Sequence, residues 1–217
     1  MKKLLFIFLL INIPNYSNAQ TIEKEVTENV QFWWSINATS RISNKWGIMT
    51  DVHTRRNNFL KDPNFYFLRA GAVYWLNDNF TLAGGLAYLC LATTTEKEIT
   101  YAGEKRVYQQ AQWREKINKL SYLFRLRNEQ RWQDVLNNDR SLNHVRFSNR
   151  VRFLFSADIP IFKNPYLPSI TIADEMLIHF GKEIIYHTFD QNRIFLGLKQ
   201  KVTKNLSFDL GYMMTYQ

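Results

Sequence analysis

The sequence predicts an all-β protein: an antiparallel up-and-down transmembrane β-barrel of about 10–12 strands, preceded by a cleaved signal peptide. Three observations carry this. Apolar residues recur at every second position almost throughout the chain after Gln20. The alternating runs are about 11 to 14 residues long, where membrane-crossing strands need about 9 to 11 and globular strands average about 5 or 6. Tight polar turns alternate with longer polar stretches, as in a barrel with short turns at one rim and long loops at the other.

The N-terminus comes first. Met1-Lys2-Lys3 is a short basic start, Leu4 to Ile13 is almost wholly apolar, Pro14 breaks the run, and Ser17-Asn18-Ala19 places small residues at a cleavage site. This three-part layout is that of a secretory signal over residues 1–19. Residues 20–217 then form one barrel domain, and the net charge of +9 falls by Lys2 and Lys3 to +7. Export to the outer membrane of a Gram-negative bacterium follows as the expected location. It turns the basic balance away from nucleic acid and toward outer-membrane lipid and small anionic solutes. Cys90, alone in an oxidising compartment, is expected to be buried or lipid-facing.

Composition excludes much else. An aromatic content of 15% is too high for a disordered chain. One cysteine allows neither a disulfide scaffold nor a zinc site of several thiolates. A mean hydropathy of −0.33 opposes a helical membrane bundle, whose spans need about 20 apolar residues each.

The alternation gives ten strands, at 29–41, 46–56, 64–76, 80–93, 105–117, 120–133, 144–157, 169–179, 190–200 and 206–217. In the first, Val30, Phe32, Trp34 and Ile36 alternate with Gln31, Trp33, Ser35 and Asn37. In the sixth, Tyr122, Phe124 and Leu126 share one face while Arg125, Arg127, Glu129 and Arg131 share the other. A helix would scatter those arginines around its circumference, whereas a strand places them on one side. The seventh sets Val145, Phe147, Val151, Phe153 and Phe155 against Arg146, Ser148, Arg150 and Arg152. In the last, Phe208, Leu210, Tyr212, Met214 and Tyr216 alternate with Asp209, Gly211, Met213 and Thr215.

Tight turns are expected at 43–45, 77–79, 118–119 and 203–205, and long loops at 57–63, 94–104, 134–143 and 180–189. The stretch 158–168, with Pro160, Pro165 and Pro168, breaks the rule as a long connection where a short turn belongs. Trp46, Trp75, Phe80 and Trp113 lie close to the tight turns, as expected of an aromatic girdle at the headgroup level.

Three segments carry a resemblance. They are Arg41-Ile42-Ser43-Asn44-Lys45-Trp46-Gly47, Arg125-Leu126-Arg127-Asn128-Glu129-Gln130-Arg131, and Phe189-Asp190-Gln191-Asn192-Arg193 with Gly197 and Lys204-Asn205-Leu206-Ser207. The chain resembles in these a bacterial envelope family catalogued as domain of unknown function 2490. The resemblance implies an outer-membrane-type barrel of uncharacterised role and transfers no catalytic residue. The chain departs from the family pattern at its end, where a closing C-terminal strand is expected to be missing.

If the apolar column meets lipid, the lumen receives a charge network of Arg69, Arg114, Arg125, Arg127, Glu129, Arg131, Arg146, Arg150, Arg152, Glu175 and Arg193, with Asp51 and Asp209 beside it. Sequential strands would set arginine columns opposite one another, so Glu129 and Glu175 are expected to interleave, since like charges directly opposite are destabilising. The network either holds the barrel rigid or passes or binds small anionic solutes, because the guanidinium fork pairs bidentately with carboxylate and phosphate. No catalysis, cofactor or metal is expected. His53, His144, His179 and His187 form no triad-like pattern with Ser121, Ser141 or Ser148, and no G-x-S-x-G motif occurs. Two alternatives stay open: an outer-membrane lipid-modifying barrel enzyme, and a soluble periplasmic barrel binding an apolar ligand. The soluble barrel would invert the faces, with arginines outside.

Overall fold

A computed structural model describes residues 30–94, 98–164, 166–185 and 187–217. The expected signal peptide lies outside the described residues. The described residues form ten strands: β1 (Gln31–Arg41), β2 (Trp46–Asn57), β3 (Asp62–Trp75), β4 (Phe80–Thr94), β5 (Ile99–Ile117), β6 (Leu120–Leu136), β7 (Leu142–Pro160), β8 (Ser169–Phe180), β9 (Phe189–Lys201) and β10 (Ser207–Tyr216). Each pairs antiparallel with its sequence neighbours in one sheet of order β1 to β10. The described residues contain no helix.

The sheet is curled as a half-barrel. β1 and β9 stand eight strands apart, about 38 Å in a flat sheet at about 4.8 Å per strand. Yet the Arg193 guanidinium carbon lies 5.3 Å from the centre of the Trp33 ring. β1 and β10 do not pair with each other, so the sheet keeps two edges among the described residues.

Several elements outrun the sequence expectation. β5 and β7 each reach 19 residues. The expected loop at 94–104 is mostly strand, because Ile99 and Tyr101 continue the alternation and pair with Thr94 and Ala92. The long connection expected at 158–168 also shrinks. β7 runs on through Pro160, and Asp158 is held there by the Thr171 hydroxyl at 2.7 Å and the Lys199 ammonium at 2.8 Å. Pro160 fits a strand end, where no ladder N–H is required of it.

The tight turns are stapled by side chains. The Ser43 hydroxyl accepts from the Trp46 backbone N–H at 3.0 Å. Asn77 Oδ1 accepts from the N–H groups of Asn79 and Phe80 at 2.9 and 2.7 Å. Thr203 does the same for Asn205 and Leu206. These short polar side chains mimic a backbone turn.

The two faces differ sharply. Outward point Trp34, Ile48, Leu68, Leu86, Phe124, Phe153 and Leu196, all exposed. Trp113, Phe124 and Phe155 make an aromatic row on this side, the first pair stacked at 5.4 Å between centroids and the second tilted at 4.9 Å. Cys90 lies on the same face, unbonded. The outward column is not wholly apolar. Gln109 and Gln130 bond at 3.1 Å, and Asn192 donates to Asp174 at 2.6 Å, both in mid-strand. Of the expected girdle, Trp46 and Trp113 face outward and are exposed. Trp75 does not join them: its position points inward, and the Arg41 guanidinium lies 4.8 Å from its ring.

Candidate functional site

The inner face has two walls. On β3 and β4 it is apolar, with Phe65, Phe67, Ala87 and Leu89 buried together. On β5 to β9 it is charged, and Glu104, Arg106, Arg127, Glu129, Arg131, Arg150 and Glu175 are all buried. Tyr108 joins the walls and is 1% exposed. Its ring fits because Gly71 and Gly85 pair side by side on the inner face, and a Cβ on Gly71 would come within 2.2 Å of the Tyr108 oxygen. The guanidinium carbons of Arg69 and Arg127 lie 5.2 and 5.6 Å from that ring.

Register decides how the charged wall is satisfied. Between β6 and β7, Arg127 stands directly opposite Arg152, Glu129 opposite Arg150 and Arg131 opposite Ser148. Only one of those pairs is like-charged. Glu129 answers it: its Oε1 lies 3.0 Å from Arg152 and 3.8 Å from Arg127, while its Oε2 accepts from Arg150 at 2.6 Å. Arg127 also donates to Gln110 Oε1 at 2.9 Å.

Glu175 collects three guanidiniums from three strands. Arg125 donates at 2.8 Å, Arg152 at 2.7 Å, and Arg193 approaches at 3.4 Å. Glu104 forms a third centre, accepting from Arg131 at 2.7 Å and from Arg106 at 2.5 Å. Arg69 pairs with Asp51 across β2 and β3, and Arg150 reaches Asp190 at 3.1 Å.

Two of the expected network residues stand apart. Arg146 donates to Gln133 at 3.1 Å, with no carboxylate at ion-pair distance among the described residues. Arg114 lies near the tight-turn end of β5, exposed, and makes no ion pair within the described network. Asp209 lies on the exposed strand β10, with its Oδ1 3.8 Å from Lys199.

The structure adds four residues to the site. Glu104 and Arg106 flank Lys105 in a stretch polar on both faces, so its phase was unreadable locally. Counting back in twos from Arg114 would have found them. Trp33 was already on the inner face by alternation but was not read as part of a site, and Arg55 was hidden because it adjoins Arg56, so that the charged pair showed no preference of face. Arg55 packs on rings instead of carboxylates, with its guanidinium carbon 3.5 Å from the Trp33 centroid and 4.4 Å from that of Phe65.

The interior is electrostatically unbalanced. Beyond Arg41 and Arg114 near the tight turns, ten guanidiniums of the described residues point into it: Arg55, Arg69, Arg106, Arg125, Arg127, Arg131, Arg146, Arg150, Arg152 and Arg193. Five carboxylates reach them: Asp51, Glu104, Glu129, Glu175 and Asp190. Buried polar atoms are also left without partners, among them Tyr108 Oη, Ser148 Oγ, Arg125 Nε and Arg146 Nε. Buried groups of this kind call for a water or a ligand.

No group of three His, Cys, Asp or Glu residues suited to a metal occurs among the described residues. His144 bonds Glu183 at 3.0 Å, and His179 bonds the His187 carbonyl at 2.7 Å, both at the long-loop end. No described helix is long and apolar enough to cross a membrane, which says nothing of strands.

The family model described as protein of unknown function (DUF2490) matches residues 30–217, so the chain belongs to that family. No curated protein and no solved structure matches it.

Proposed function

We propose, with that membership as premise, that the chain is a non-catalytic outer-membrane β-barrel whose arginine-rich interior binds or passes small anionic solutes. The observation that carries this is the inside-out polarity of the sheet. Its outward face is lined with exposed Leu, Ile, Phe and Trp side chains, while its inward face carries ten guanidiniums, five of them buried and five half-buried. Water-soluble proteins rarely expose contiguous apolar patches beyond a few hundred Å². A soluble barrel holding an apolar ligand would need the opposite arrangement.

Strand length supports the same reading. Strands of 10 to 19 residues exceed the roughly 9–11 that a tilted crossing requires. The excess of β5 lies toward the long loop that precedes it, so the barrel wall would stand above the bilayer there.

The charge surplus favours anions over a merely rigid plug. A balanced network would leave the interior neutral, whereas ten cations against five anions leave a positive field. In a narrow low-dielectric space such a field concentrates anions.

The test begins with the envelope fraction. A faster-running unheated band in SDS gels is expected in the outer membrane, because closed membrane barrels resist SDS until boiled. Phe124→Arg places a charge in the outward aromatic row and is expected to abolish that band, at a cost of about 2–4 kcal/mol near mid-bilayer. In planar bilayers a salt gradient should give a reversal potential of anion-selective sign. A soluble periplasmic protein without a heat shift would overturn the reading.

A further inference from the structure

We infer that the interior holds one specific oxyanion site, between Arg55 and Arg193 beside Trp33, where β1, β2 and β9 converge. The inference rests on the proposed anion-binding interior and names its site and its ligand chemistry: a single soluble carboxylate or phosphate group.

The argument starts from Arg55. Its charge has no carboxylate at ion-pair distance among the described residues; its guanidinium instead lies over Trp33 and near Phe65. Stacking covers the flat face of a guanidinium and leaves its edge N–H groups as donors. Those donors are what a planar or tetrahedral oxyanion takes.

Arg193 is the second arm. Its Nε donates to Gln191 at 2.5 Å, and its Nη1 makes the longest of the three guanidinium contacts to Glu175, at 3.4 Å. The two oxygens of Glu175 are already occupied by Arg125 and Arg152 at 2.8 and 2.7 Å. One carboxylate therefore serves three guanidiniums, and Arg193 is the least served.

Geometry brings the two arms within reach of one ligand. Their guanidinium carbons lie 3.5 and 5.3 Å from the same ring centre, so they are at most the sum of these apart, about 8.8 Å. An oxyanion whose centre sits about 4 Å from each guanidinium carbon bridges two of them up to about 8 Å apart. Of the ten interior arginines, this pair combines an unserved charge, an under-served one and an aromatic platform. An interior carrying that much surplus charge is costly unless an anion relieves it.

The experiment titrates inorganic phosphate into the full chain in detergent at constant ionic strength, following tryptophan fluorescence. The heated and unheated gel shift is recorded in parallel. Saturable binding is expected, with a signal lost in Trp33→Phe. Arg55→Gln should weaken binding at least about tenfold. Arg55→Lys keeps the charge but not the planar fork, and should weaken it while preserving the gel shift. Arg56→Gln removes the same charge from the neighbouring residue, whose guanidinium bonds the Leu60 and Lys61 carbonyls at 3.0 and 2.9 Å, and should leave phosphate binding unchanged.

Equal weakening by the Arg55 and Arg56 variants would overturn the site in favour of a diffuse field. Absence of phosphate binding in a wild type that shows the gel shift and anion selectivity would overturn the site alone. Absence of the gel shift and selectivity would instead overturn the barrel reading, and the site with it.

Discussion

The two walls of the interior solve the same problem by opposite chemistry. Phe65, Phe67, Ala87 and Leu89 on β3 and β4 simply remove apolar surface from water. Glu104, Glu129 and Glu175 on β5, β6 and β8 anchor clusters of arginines in a space just as closed. Dispersion contacts are non-directional, so the apolar wall tolerates swaps that conserve volume and suffers chiefly from cavities. Ion pairs away from water depend on each partner, because an unpaired charge keeps its whole desolvation penalty. The difference teaches where this protein is fragile and where it is adaptable.

The largest expected effect breaks the charged wall. Glu129→Gln leaves Arg127 opposite Arg152 with no negative charge between them and replaces one of two acceptor oxygens by an amide donor aimed at guanidiniums. A loss of about 3–5 kcal/mol is expected. The check is the urea midpoint of the detergent-folded protein, followed by the gel shift.

Leu89→Ala probes the other wall and is expected to cost less, about 3 kcal/mol, as a cavity in an otherwise packed cluster. Its effect should be independent of salt and of added phosphate. The Glu129→Gln defect, in contrast, should be partly relieved by anions that enter the arginine cluster. Equal responses of the two variants to phosphate would erase the distinction between the walls.

Gly71→Ala sharpens the comparison at the junction. The new Cβ would meet the Tyr108 hydroxyl and the Gly84 carbonyl, so the ring must shift away from Arg69 and Arg127. A cost of about 1–3 kcal/mol is expected, together with a change in near-ultraviolet circular dichroism from Tyr108.

The smallest effect lies outside both walls, in the loop between β6 and β7. Asp139 accepts from the Ser141 hydroxyl at 2.6 Å and the Ser141 N–H at 3.0 Å, and these bonds hold its carboxyl below the usual carboxylate range. A depressed value stabilises the loop above the ordinary carboxylate pKa, and this contribution disappears as pH falls through the lowered value. Hydrogen exchange at the Ser141 amide should quicken in that acid range in the wild type, and already at neutral pH in Asp139→Ala.

Much of this was legible in the sequence wherever the two faces of a strand differ in kind. Arg125, Arg127, Glu129 and Arg131 could be placed on one face from Tyr122, Phe124 and Leu126 on the other. Glu104 and Arg106 could be placed only by counting back in twos from Arg114, because Lys105 and Gln109 are polar too. On β3 the faces were ambiguous the other way, since Phe65 and Phe67 inside are as apolar as Tyr66 and Leu68 outside.

By itself the sequence determined the strands, their turns, their antiparallel order and the family, because alternation with period two and turn chemistry are local properties of the backbone. Only the tertiary structure decided which charges meet. Arg125 and Glu175 are 50 residues apart, and Trp33 touches Arg193 only because the sheet curls. Those contacts depend on the register of several ladders added together, where one bulge, such as that at Asn64 opposite Arg55 and Arg56, shifts every partner beyond it. A local pattern cannot carry that sum, and the arrangement of the arginine cluster is its result.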